Sequence, residues 1–268
     1  MASEYAQLIQ SDRLATYRGA AALIIVHVLA LVAGFGVLGA VFEFPEVLRL
    51  SAADRLAFYR ANQGIIQPTY WVLAMTGFTQ VAMAVLLCRS FARTTSPLLQ
   101  IALVFGVLCG LLQMAGFIRW AILIPYLAEL MVGADAQTAA TLAIIEGVFN
   151  RYAGMALGEH AANICLGIWT FGVGFAMRGN KLFDRRLACL GIVLGVAAAA
   201  LALEQLGVWP ALLGIILDFV FPLWAVWLVV VAASLLRADP ETGEGPALGW
   251  RTASIAATGY VLLVLLSI

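Results

Sequence analysis

The chain is 268 residues long, 63% hydrophobic and only 11% charged, with a formal net charge of zero. Soluble domains carry roughly 25% charged residues, so the composition excludes a water-soluble globular protein. Neutrality also leaves no long basic surface, which excludes a nucleic-acid-binding role.

A helix needs about 20 apolar residues to cross ~30 Å of hydrocarbon, and within lipid only helices and closed barrels satisfy their own backbone. The apolar runs here are continuous and do not alternate with period two, which predicts helices. In chain order the spans fall at 19–42, 68–88, 97–118, 153–177, 187–207, 211–236 and 249–268, all within one transmembrane domain covering 1–268. The first run is too long for the apolar part of a signal peptide, and no cleavage site follows it, so it stays as a helix. Thr252, Ser254 and Thr258 dilute the last run. The expected fold is therefore all-α, an integral membrane bundle of six or seven transmembrane helices with one interfacial amphipathic helix.

That interfacial helix is expected over 52–63, where Ser51 and Asp54 form a weak capping box and Leu56, Phe58 and Tyr59 mix with Arg55 and Arg60. It reads first as a connecting helix that seals one end of the bundle. Pro125 is expected to break the third spanning helix, Gly133 and Asp135 to mark a turn, and 138–152 to restart a helix that feeds the fourth span. The segment 237–248, with Pro240, Gly243, Gly245 and Pro246, reads as a flexible loop.

Orientation follows from the basic residues in short loops. With the N-terminus inside, the inner segments hold Arg13, Arg18, Arg89, Arg93, Arg178, Lys181, Arg185, Arg186, Arg237 and Arg251, ten of the fifteen Lys and Arg. Arg49, Arg55, Arg60, Arg119 and Arg151 fall outside or at the outer edge. The expectation is a membrane protein with its N-terminus in the cytoplasm. Cys88, Cys109, Cys165 and Cys189 show no paired spacing and read as small apolar residues.

Ionisable groups inside spans are costly, about 2.5 to 3.5 kcal/mol each at a helix centre on insertion scales, and by default they mark function. The fourth span carries Glu159, His160 and Asn163, Glu204 ends the fifth, and Asp218 lies in the sixth. At 1.5 Å per residue, Glu159, His160 and Asp218 sit about 10 Å below the outer helix ends and Glu204 about 5 Å. Glu159, His160 and Asn163 fall within about 100° of one another on a helical wheel, and Tyr152 lines up with them. Glu146 and Asn150 point the opposite way in a continuous helix; they join only if the helix kinks or restarts near Gly154 and Gly158. Arg119, followed by Trp120, is the obvious cation for these acids.

Two readings of these groups compete. As a satisfied network, Arg119 would pair with Glu146 or Glu159 and His160 with Asp218, holding helices together. As a site, the same groups would bind a ligand, ion or proton. Pro222 frees the carbonyl of Asp218 and so adds an acceptor beside its carboxylate. No metal site and no cofactor is expected. There is no HExxH, and His27 and His160 differ in depth by about 12 Å, too much to share one haem iron. No lysine in the last span could form a retinal Schiff base. His27 reads as a satisfied core histidine.

The pair Arg119-Trp120, the stretch from Glu146 through Asn150 to Tyr152, and Gly158-Glu159-His160 followed by Trp169 resemble an uncharacterised bacterial multipass membrane family, domain of unknown function 4386. The similarity covers about 19–236 and leaves the seventh span outside. It implies a bacterial integral membrane protein and supplies no activity.

The reading that follows is non-enzymatic: an outer-leaflet polar pocket lined by Arg119, Glu159, His160, Asn163, Glu204, Asp218, Tyr152, Glu146 and Asn150 that binds a small polar ligand, ion or lipid headgroup, with transport as one version. The sequence shows no inverted repeats, which weakens transport. The alternatives are a scaffold or accessory subunit of a larger membrane complex and an intramembrane metal-dependent hydrolase. Expected partners are membrane lipid and a helix-packed protein or a second copy of the chain, with no nucleic acid.

Overall fold

In the computed structural model, residues 2–91 and 96–245 are described, and they contain helices and no strand. The expected seventh span, 249–268, lies outside the described residues. The helices are α1 (Ala2–Phe42), α2 (Ala52–Ala61), α3 (Gln63–Arg89), α4 (Pro97–Leu130), α5 (Ala136–Phe149), α6 (Ala162–Met177), α7 (Arg185–Leu201) and α8 (Pro210–Leu236). A π-helical segment, Asn150–Ala161, joins α5 to α6 without a break, and short 3-10 turns lie at Glu46–Arg49 and Ala202–Leu206.

Six of these helices are long and apolar enough to cross a membrane: Gln7–Phe42, Gln63–Arg89, Pro97–Leu130, Ala136–Met177, Arg185–Leu206 and Leu212–Leu236. The protein is an all-α multipass membrane bundle. Its helices form a closed ring in which α1 meets α3, α3 meets α4, α4 meets α6, α6 meets α7, and α8 packs on both α7 and α1. Glycines set the tightest crossings. A Cβ on Gly110 would lie 2.5 Å from the Gly77 carbonyl oxygen, and one on Gly116 would lie 2.8 Å from the Gly158 Cα. Small residues let membrane helices approach this closely.

Side-chain caps start three of the helices. Ser51 caps α2 by accepting from the Asp54 N–H at 3.2 Å, and its hydroxyl donates to the Asp54 carboxylate at 2.6 Å. Asp135 caps α5 by accepting from the Thr138 N–H at 2.7 Å, and these bonds hold its carboxyl below the usual 3.8. Asp184 caps α7 through the Arg186 N–H at 2.7 Å.

Pro125 does not end its helix, contrary to the expectation from sequence; α4 runs on to Leu130. A proline leaves the carbonyl four residues earlier without its helical donor, here that of Ala121. The Gln67 side-chain amide of α3 donates to that oxygen at 2.9 Å, which removes the reason for a break. The segment after α8 is also more ordered than expected as far as residue 245. Asp239 N–H donates to Glu244 O at 2.9 Å, Gly245 N–H to Lys181 O at 3.1 Å, and Lys181 pairs with Glu244 at 2.6 Å.

The buried core has two parts. The larger spans the centre and the N-terminal end of α1, with Trp169, Trp224 and Trp227 among its members. The smaller lies at the end that carries α2 and holds Phe42, Tyr59, Tyr70 and Trp120. Cys88, Cys109 and Cys165 are buried and Cys189 exposed, all as free thiols.

Candidate polar site at the α2 end

The site forms where the π segment crosses α4. In an α-helix of 3.6 residues per turn, positions nine apart lie about half a turn out of phase, so Asn150 and Glu159 would face opposite ways. The π segment closes i→i+5 bonds and widens each turn. Nine residues then make about two turns, and Asn150, Gly154 and the Gly158–Glu159 pair all come round to α4. The helix does not stop and restart; its change of pitch carries Asn150 into the site.

Arg119 of α4 lies half-buried against this segment. Its Nη2 donates to Asn150 Oδ1 at 3.0 Å and its Nη1 to the Gly116 carbonyl, while the buried Nε has no partner. A Cβ on Gly154 would lie 2.7 Å from the Arg119 Cζ. Glycine at 154 is therefore what leaves room for the guanidinium. The Tyr70 ring of α3 stacks on Trp120 with centroids 5.0 Å apart at 11°, and its buried hydroxyl also lacks a partner.

Glu159 is close enough for its charge to act on both Arg119 and Tyr70, yet it forms no ion pair with Arg119. Its carboxylate instead accepts from the Gln205 amide, and Glu204 adds a second negative charge nearby. His160 Nδ1 bonds to the Ala202 carbonyl at 2.8 Å, tying the π segment to the turn after α7. A carbonyl oxygen can only accept, so Nδ1 carries the hydrogen of this bond.

The remaining expected residues sit elsewhere. Glu146 is fully buried, but its partner is Arg55 of α2, through Nε at 2.9 Å and Nη2 at 2.6 Å. The expected pairing of Arg119 with Glu146 or Glu159 is thus replaced by Arg55–Glu146, because in α5 Glu146 precedes the π segment and faces α2. Arg55 also donates to the carbonyls of Leu48 and Leu50 at 2.8 and 3.1 Å. This makes α2 a packed lid, with Arg55, Leu56 and Tyr59 buried. The expected bond between His160 and Asp218 is absent, since Asp218 is exposed on α8 and makes no bond to the site. Tyr152 is 65% exposed, and Asn163 is buried on α6, one turn beyond His160.

Sequence reasoning missed Tyr70 and Gln205, and it counted Arg55 as a topology residue and a polar member of the interfacial helix, without a partner. Gln205 follows Glu204 directly, and Arg55 lies among apolar residues in a helix that must bury one face. Both signals were in the sequence. Among the described residues no three His, Cys, Asp or Glu side chains gather closely enough to hold a metal ion.

Residues 19–235 match the family described as domain of unknown function (DUF4386). The chain belongs to this family. No curated protein and no solved structure matches it. The DUF4386 match takes in the whole site, from Tyr70 on α3 to Gln205 after α7, as well as the Arg55–Glu146 pair.

Proposed function

We propose that this DUF4386 protein lies in a bacterial cytoplasmic membrane with its N-terminus inside, and that its α2-end site binds a small polar ligand, ion or lipid headgroup. The basic-residue asymmetry supports that orientation, in which the site belongs to the outer leaflet. The observation that carries the reading is a half-buried arginine whose Nε has no partner, next to a glutamate that does not close on it. Groups that serve only as glue pair with one another, as Arg55 and Glu146 do. An arginine facing an unclosed glutamate suits a guest with an anionic or acceptor group for Arg119 and a donor for Glu159, which describes a zwitterionic headgroup.

The residues assigned to binding are Arg119, Asn150, Glu159, His160 and Glu204, with Tyr70 and Gln205 added. The test is native mass spectrometry of protein released from nanodiscs of phosphatidylethanolamine and phosphatidylglycerol, comparing the parent with Arg119→Gln. The parent is expected to retain a bound lipid or polar small molecule that the variant loses. Identical retention in both would end the reading.

A second reading, an accessory subunit, rests on Asp218. This carboxylate is exposed on α8 among Ile215 and Phe219, each 60% exposed, and a charge there is costly against lipid. A partner helix bearing Lys or Arg would relieve it. Photo-crosslinking from position 215 would capture such a partner, and capture of lipid alone would remove this reading.

A further inference from the structure

Past α8 the chain follows a directed path across the end of the bundle opposite α2. Glu241 accepts from the Gln10 side-chain amide of α1 at 3.1 Å. A Cβ on Gly243 would lie 3.7 Å from Arg13 Nη1 and from the Tyr17 hydroxyl. Gly245 then donates to the Lys181 carbonyl at 3.1 Å and rests on the backbone of Leu182. Between 241 and 245 the chain has therefore crossed from α1 to the turn that starts α7.

Two features of α7 lie ahead of it. An open cavity of about 600 Å³ at the foot of the helix is lined by Asp184, Arg185, Arg186 and Cys189, and Asp184 stands two residues from Leu182. Above the cavity, Cys189, Val193, Val196 and Leu203 form an outward stripe, with Val193 and Val196 63% and 57% exposed. Their spacing of three, four and seven residues puts them on one side of a helix. α6 and α8 pack on other sides of α7, and among the described residues nothing covers this one.

The continuing sequence supplies an occupant of the right length. Residues 249–268 number 20, and Arg251 is the only charged residue among them; about 20 apolar residues cross the hydrocarbon as a helix. The three residues 246–248 reach about 10 Å when extended. That covers the step from Leu182 to the cavity and falls short of α3 across the ring.

We propose that residues 249–268 dock as a seventh spanning helix on the outward stripe of α7, parallel to it, with Trp250 in the cavity at its foot. Ala253, Ala256 and Ala257 share one helical face and then lie against Val193 and Val196, small side chains that permit the close approach typical of membrane helices. Arg251 stays at the water boundary with Arg185 and Arg186, where arginines at span ends reside. The stripe on α7 is thus an interface within the chain and not part of the lipid boundary.

The test is oxidative crosslinking of the full chain in membranes. Cys189 is native and exposed, whereas Cys88, Cys109 and Cys165 are buried, so one added cysteine at each position from 252 to 259 in turn creates a pair with Cys189. A disulfide forms where the two Cα atoms come within about 4.4–6.8 Å. Product within single chains is expected at 253 or a neighbour on the same face, and at least about tenfold less half a turn away. With Cys189 changed to Ala and the partner cysteine moved to Ala22 of α1 or Val229 of α8, both exposed, product should fall by about tenfold. A second pair one turn higher, Val193→Cys with Ala257→Cys, should also close, which keeps the outcome independent of any one variant that fails to fold. The proposal is overturned if no position crosslinks, if all crosslink equally, if Ala22→Cys or Val229→Cys gives the stronger product, or if the product joins two chains. None of these outcomes touches the ligand reading, whose readout is lipid retained at Arg119.

Discussion

Two arginines at the α2 end stand near glutamates of the same long helix, and they are held in opposite ways. Arg55 meets Glu146 through two hydrogen bonds and gives its remaining donor group to two backbone carbonyls. Arg119 bonds one side-chain amide and one carbonyl of its own helix, leaves Nε without a partner, and does not close on Glu159. Burial alone does not separate structural charges from charges available for binding. What separates them is whether every donor already has an acceptor.

The comparison would break first at the closed pair. Removing one partner of a buried ion pair strands the other and typically costs about 3–5 kcal/mol. Glu146→Ala and Arg55→Ala should each cost that much, and the double variant should cost clearly less than their sum. Thermal unfolding in one detergent measures all three. Additive losses would mean that the two residues do not act as a pair.

A smaller loss is expected where α4 and the π segment touch. A Cβ on Gly158 would lie 2.9 Å from the Gly116 Cα, a backbone atom that cannot swing away. Gly158→Ala should destabilise by about 1–3 kcal/mol, as overpacking does, and should also reduce the lipid retained at Arg119. Unchanged stability would show that the crossing is looser than described.

The open pair should respond less. Arg119→Gln and Glu159→Gln keep shape and remove charge, and each should stay within about 1 kcal/mol of the parent, roughly 2–4 °C in melting temperature for a chain of this size. Losses as large as those at Arg55 would make Arg119 another clasp and favour the accessory-subunit reading. The smallest effect belongs to Asp135, which caps the helix that carries both glutamates. Hydrogen bonds to Thr138 hold its folded carboxyl below the ordinary 3.8, so its stabilisation is present above that pH and is lost as pH falls through the folded value. Asp135→Asn should flatten the dependence of stability on pH below 3.8, and an unchanged slope would remove the cap from the account.

Individual residues show how far sequence reading reached. Ser51 acts within three residues, so its cap is readable from sequence, and the long apolar runs announce helices because lipid offers the backbone no other partner. Pro125 was misread because its compensation, Gln67, stands 58 positions away and reaches the freed carbonyl only once α3 packs on α4. The charged residues of the site stand out because ionisable groups in apolar runs are rare and costly, but their partners do not.

Composition and hydropathy by themselves determined that the protein is a membrane helix bundle, roughly where its helices run, and that Arg119, Glu159 and His160 deserve scrutiny. Only the tertiary structure decided that Glu146 belongs to Arg55, that Asn150 turns toward Arg119, and that Asp218 stands apart. Hydropathy is a sum over neighbours in the chain, whereas a side chain's facing depends on the accumulated turn of its helix. A change from i→i+4 to i→i+5 bonding over Asn150–Ala161 resets that phase. Along that segment a guanidinium and two glycines pack between α4 and its neighbour, in contacts between residues more than thirty positions apart.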